Sequence, residues 1–118
     1  MDVFLMEKQR IEDQVLDFFR DELSVLVSDD WKEIPLEFDT LLQDYAEGDE
    51  FPYAVEKYDK KFGVDISKID WSFYFPWENT PLLTRWFKAS REDVQKTRKP
   101  LTVRMFADSA KAGKWLYD

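Results

Sequence analysis

Residues 41–66 read LLQDYAEGDEFPYAVEKYDKKFGVDI, and the spacing inside that stretch decides the fold. Phe51, Ala54, Val55, Tyr58 and Phe62 recur at steps of three and four, the period that lines apolar side chains along one face of an α-helix. The start of this helix is written locally. Asp49 is a good N-cap, and Glu50 follows at the first helical position, where the helix dipole favours a negative charge. Pro52 falls in the first turn, where its missing N–H removes no hydrogen bond. Gly63 suits the left-handed position that closes a helix.

Two more apolar stripes lie outward of this one. Upstream, Ile11, Val15, Phe18, Phe19 and Leu23 are interleaved with Glu12, Asp13, Asp17, Arg20, Asp21 and Glu22, which predicts an amphipathic helix from about Met6 to Leu23. Downstream, Pro100 precedes a helix that Thr102 is placed to cap, with Val103, Phe106, Ala107 and Ala110 on its buried face and Gly113 at its end. Trp115 and Leu116 then pack as an ordered tail. The connections are less regular. Residues 24–38 read as a long loop, broken by Asp29, Asp30 and Pro35, that ends in a turn near 39–45. In the segment from Ile66 to Phe87 the residues Ile69, Trp71, Phe73, Phe75 and Trp77 alternate as in a strand, whereas Ile66, Ile69, Phe73 and Trp77 fit a short helix. Pro76 stops either one, and the helical reading is taken here. Ser90 with Asp93 makes a weakened capping box for a short helix at Arg91 to Lys96. The expected fold class is all-α, in one domain over residues 1–118, with Ile11, Val15, Phe18, Val55, Tyr58, Phe62, Val103 and Phe106 sharing a core.

Composition removes most catalytic chemistries. The 118 residues include no cysteine and no histidine, which excludes disulfides, Ser-His-Asp and Cys-His triads, and thiolate or imidazole metal sites. None of the serines is followed three residues later by lysine, so a Ser-x-x-Lys nucleophile is also absent. Glycine occurs only at 48, 63 and 113, too sparsely for a phosphate-cradling loop. Residues 59–70 have the length of a calcium loop, but Lys61 stands at the third ligand position and Gly63 one place early. No metal and no cofactor is therefore expected. With 44% hydrophobic and 17% aromatic residues the chain is too apolar for disorder, and no apolar run approaches the ~20 residues needed to span a bilayer. A cytoplasmic, monomeric protein is the expectation.

The net charge of −8 is unevenly spread. Residues 1–70 hold 20 acidic against 8 basic side chains, while residues 71–118 hold 5 against 9. An acidic first part disfavours nucleic acid and anionic membrane as partners, because both draw proteins in through cationic groups. The basic segment Arg91 to Lys99 reads as a solvated face or as a stretch folded back on the acidic part. Between them sits a dense aromatic block, Trp71, Phe73, Tyr74, Phe75, Trp77, Trp86 and Phe87, with more rings than one short helix buries. Such a block packs as a lid over the core, forms a partner-binding surface, or lines a small-molecule or sugar site.

Several segments carry a family resemblance. IEDQVLDFFRDEL resembles the first helix of acyl and peptidyl carrier proteins, LLQDYAEGDEF their acidic approach to the modified serine, YAVEKYDKKFGVDIS their second helix, and PLTVRMFADSA their fourth. The likeness covers about two thirds of the chain. PLTVRMFADSAKAGKWLYD and DWSFYFPWE also resemble a small bacterial family, domain of unknown function 1493. What these resemblances imply is a carrier-protein-like four-helix bundle with an aromatic-rich insertion, at about 67–99, between helices two and four. The carrier motif Asp-Ser-Leu is matched here by Asp49, Glu50 and Phe51, and a carboxylate cannot carry the phosphopantetheine phosphodiester. The second helix departs too, since Glu56 and Asp59 alternate with Lys57, Lys60 and Lys61 where carriers present an acidic face.

The expected function is a non-enzymatic, carrier-protein-like interaction module whose prosthetic group is lost. Asp49, Glu50, Glu56, Trp71, Trp77, Arg85 and Trp86 are its candidate contact residues. Glu50 also has a plainer reading, as a helix-start carboxylate. An acidic inhibitor or immunity-type protein that neutralises a basic enzyme is the alternative. An enzyme working with carboxylates and tyrosine is the third and weakest reading, because acids on solvated helix faces are expected in any case.

Overall fold

A computed structural model describes residues 9–46, 50–76, 78 and 91–117. Helix α1, Ile11–Glu22, forms where the first apolar stripe was read, and it buries Val15, Leu16, Phe18 and Phe19. Its first turn carries Glu12 and Asp13 and its last turn Arg20, the charge order that complements the helix dipole. A two-stranded antiparallel sheet follows, β1 at Leu26–Val27 and β2 at Glu33–Ile34, with Leu26 opposite Ile34 and Val27 opposite Glu33. Helix α2 is one turn, Leu42–Tyr45, and α3 runs Glu50–Phe62. A 3-10 turn at Ile66–Lys68 leads to α4 at Trp71–Tyr74, and after the undescribed stretch come α5, Arg91–Gln95, and α6, Val103–Ala112.

This architecture corrects the expected four-helix bundle. Among the described residues there are six α-helices and a β-hairpin, and half of those helices are only one turn or slightly more. The hairpin lies inside the stretch read as a featureless loop. Each strand is two residues long, and a run that short carries no readable alternation. Of residues 39–45, read as a turn, Asp39 does lie in a turn, while Leu42–Tyr45 close into α2. The helix read over Ile66 to Trp77 is split, and the reason is local. Asp65 accepts a hydrogen bond from the Ser67 N–H, and Asp70 from the Ser72 N–H, so two Asp-x-Ser caps each start their own short turn. Trp77 and the Ser90 cap lie outside the described residues, as does Asp49.

The three long helices form on their apolar stripes, although α1 starts at Ile11, with Arg10 as its N-cap, rather than near Met6. At α6 the Thr102 hydroxyl accepts from the Met105 N–H at 3.4 Å, and Gly113 ends the helix at φ +78°. Gly63, at φ +72°, does the same after α3. Their apolar faces meet in one aromatic core. Phe19 and Phe106 lie 5.2 Å apart, Tyr58 and Phe106 5.0 Å, and Phe18 and Phe62 5.6 Å, in the tilted and edge-on geometries that aromatic pairs favour. The buried Tyr58 hydroxyl donates to the Phe106 carbonyl at 2.6 Å, which joins α3 to α6. Of the expected core, Val15, Phe18, Val55, Tyr58, Val103 and Phe106 are buried, Phe62 packs against them partly exposed, and Ile11 is half-buried.

Polar ties fix the connections. The Gln43 side chain donates to the carbonyls of Lys99 and Tyr74 and accepts from the Leu101 N–H at 2.9 Å, so α2 is bound both to α4 and to the entry of α6. Arg104 meets Asp39 in a two-pronged pair at 2.7 and 3.1 Å, and Arg98 reaches Asp44 at 3.2 Å. These pairs, with Lys111 to Glu12 at 3.6 Å, bring the basic end of the chain onto its acidic part. None of the described helices is long and apolar enough to cross a membrane.

Candidate functional site

The first turn of α3 sets the site. Phe51, at its second position, points inward and is buried, while Trp71 of α4 and Phe75 just beyond it close from the other side. Phe51 lies 6.1 Å from the Trp71 ring in an edge-on contact and 5.8 Å from Phe75, and Trp71 and Phe75 are 6.4 Å apart. Around this aromatic trio an apolar groove of about 520 Å³ opens, walled also by Leu42, Val55 and Ile66. Glu78, exposed, is the only charged residue among the described residues lining it. A pocket of this size and lining accepts an apolar side chain or a small cluster of them.

Among the sequence-derived candidates the structure places three. Trp71 forms a wall of the groove. Glu50 does not enter it: its carboxylate accepts from the Ser24 N–H at 3.2 Å and from the Ser24 hydroxyl. That contact ties the residues leaving α1 to the start of α3. The Ser24 side-chain hydrogen bond, then its backbone N–H, hold the Glu50 carboxyl below the ordinary glutamate range. Glu50 is thus a structural clasp as well as a helix-start charge. Glu56 is exposed on α3 and is not among the groove residues. Asp49, Trp77, Arg85 and Trp86 lie outside the described residues.

The aromatic block divides its labour. Tyr74 is buried in the core, against Trp115 at 6.3 Å. Trp71 and Phe75 wall the groove. Phe73 faces outward with the Lys99 ammonium over its ring at 4.1 Å, a cation–π contact. Sequence reasoning missed Phe51, Leu42 and Ile66 as groove residues, because periodicity places a residue on a face of its own helix and says nothing of the neighbouring element. Trp31 was missed as well, although a tryptophan between two aspartates and a lysine in a predicted loop is an unusual placement. No group of three or more acidic side chains that could hold a metal ion is found among the described residues.

A family described as a protein of unknown function (DUF1493) matches residues 8–118. No curated protein and no solved structure matches the chain.

Proposed function

We propose that this chain, which belongs to the DUF1493 family, is a non-enzymatic protein-interaction module that receives an apolar anchor from a protein partner in the groove of Phe51, Trp71 and Phe75. The groove carries the reading: it is apolar and open, and its lining offers shape and ring faces rather than reactive groups. In this reading the likeness to carrier proteins is local to the segments that bear it, and Glu50 takes the serine's place as a clasp on Ser24. Incubation with coenzyme A and a broad-specificity phosphopantetheinyl transferase then leaves the mass unchanged; a stoichiometric adduct on any serine refutes the loss of the prosthetic group.

The groove itself is tested by filling it. Ala46 is half-buried at its edge, so Ala46→Leu adds bulk there without removing a core side chain, and Glu78→Lys reverses the charge at its rim. The proposal expects a partner captured stoichiometrically from native extract by the wild-type chain, and an affinity for that purified partner at least about tenfold weaker with Ala46→Leu, at unchanged urea stability. Equal affinity of both variants and the wild type sinks it.

A second reading, inhibition of a basic enzyme, is favoured by one observation. Asp29, Asp30 and Glu33 stay exposed on the β1–β2 hairpin while the C-terminal cations Arg98, Arg104 and Lys111 are taken up by internal pairs. The hairpin itself therefore offers a partner three exposed carboxylates against the single cation Lys32.

A further inference from the structure

The β1–β2 hairpin carries a residue where hairpins of its type place glycine. The Trp31 N–H donates to the Ser28 carbonyl at 2.9 Å, and the Ser28 N–H donates to the Lys32 carbonyl at 2.8 Å. Three residues, Asp29 to Trp31, thus form the loop: a tight turn followed by one left-handed residue that lets the strands re-pair. That residue is Trp31, at φ +65°, the single positive φ outside glycine among the described residues. For a bulky side chain the left-handed conformation is a strained outlier, since the Cβ crowds the following carbonyl.

Among the described residues no side-chain contact of Trp31 offsets the strain. Trp31 is 88% exposed, and its ring meets no other ring or cation among the described residues. What holds it is the turn beneath. The Ser28 hydroxyl donates to the Asp30 carboxylate and accepts from the Lys32 N–H at 3.2 Å. At the base the Tyr45 hydroxyl bridges the strands, donating to the Ile34 carbonyl at 3.0 Å and accepting from the Leu26 N–H. Backbone strain that the surroundings over-determine clusters at functional positions, and tryptophan is enriched among the residues that carry interface binding energy.

The neighbours give the partner its chemistry. Val25 and Val27 leave apolar surface exposed on one face of the hairpin and its approach, where Val27 pairs with Glu33, and Ile34, which pairs with Leu26, leaves more on the other face. Asp29 and Asp30 precede Trp31 in the loop and Glu33 follows at the start of β2, all exposed, with the hairpin's one cation, Lys32, drawn to Asp30 at 3.7 Å. The surface is an aromatic anchor in an acidic frame. Its complement is cationic and has an apolar pocket; nucleic acid, an anionic bilayer and a second copy of this chain all bring negative charge and are repelled.

We propose that the hairpin tip is a docking surface for a basic protein, with Trp31 as its anchor. This deepens the reading of the chain as an interaction module, and it uses no residue that lines the groove. The test selects a random peptide library displayed on phage against the full chain, with Trp31→Gly as the counter-selecting bait. Melts of both proteins establish first that the variant is folded. Glycine relieves the left-handed strain, an effect partly offset by the greater freedom of its unfolded chain, so Trp31→Gly is expected to melt roughly 1 to 5 °C above the wild type. The selected peptides are expected to be net positive with an apolar or aromatic residue, to bind the wild type at least about tenfold more tightly than Trp31→Gly, and to weaken as salt is raised.

Peptides that bind both proteins equally overturn the proposal, as do peptides without net positive charge, an empty selection, or a variant that melts below the wild type. Trp31-dependent dimerisation in sedimentation, or Trp31-dependent binding to phosphatidylserine vesicles, overturns it in favour of those occupants. Peptides lost with Ala46→Leu but kept with Trp31→Gly would leave the groove reading standing and remove this one.

Discussion

Glu50 shows how one side chain closes two elements at once. It stands in the first turn of α3, and its carboxylate takes both the N–H and the hydroxyl of Ser24, two residues beyond the end of α1. The Ser24 hydroxyl is the larger cause of its depressed pKa and the Ser24 N–H the next. Ser24→Ala removes the hydroxyl donor and leaves the N–H, so the Glu50 carboxyl should move back toward the ordinary glutamate value without reaching it. Carboxylate-detected NMR titration of the two proteins reads this directly, and an unchanged midpoint would mean that the clasp is not formed in solution. The helix-start role was legible from the sequence because it depends only on Glu50 and the turn that follows. The clasp was not, since its partner lies 26 residues away in a stretch with no periodic signal.

At the scale of elements, the contrast between α6 and the hairpin explains what the sequence reveals. Thr102 and Gly113 bracket α6 by chemistry that acts within a few residues, and both work as expected. No Cβ clash stands in the way at Gly113, where nothing lies within 4 Å of the position a methyl would take. Gly113→Ala should therefore cost only the left-handed backbone penalty, about 1–2 kcal/mol, measured as a shift of the urea midpoint at constant slope. A cost well above that would indicate a packing role for the C-terminal turn. The hairpin offers no such bracket. Its strands are two residues each, and the left-handed position that glycine would have announced is filled by Trp31. The split between the 3-10 turn and α4 was in principle legible, because DIS at 65–67 and DWS at 70–72 repeat one capping device.

For the whole molecule, the groove and the pH response both come from long-range assembly. α2, α3, the 3-10 turn and α4 each contribute to the groove, so Trp71 could be flagged from the aromatic block while its neighbours could not. The pH response follows from which groups the fold perturbs. Glu12, held chiefly by its own backbone N–H, Asp30 by the Ser28 hydroxyl, Asp39 by Arg104, Glu50 by Ser24 and Asp65 by the Ser67 hydroxyl all sit below their ordinary values. A carboxyl depressed by folding contributes stability that is present above its unfolded pKa and lost as pH falls through the folded one. Tyr58 has the opposite sign. Burial raises its phenol, so its contribution is complete below the ordinary tyrosine value near 10 and is lost as pH rises from there toward the folded value. Between these limits the chain has no histidine and no cysteine to titrate. Urea midpoints should therefore hold level from about pH 6 to pH 9, fall below the carboxylate range and fall again above about pH 10. Asp39→Asn should make the acid limb shallower by removing one depressed carboxyl, and Tyr58→Phe should do the same to the alkaline limb. A step in stability near neutral pH, where no side chain of ordinary pKa titrates, would show that a carboxylate or lysine has been shifted far from its usual range, and the perturbed groups named here would not be the ones that govern the fold.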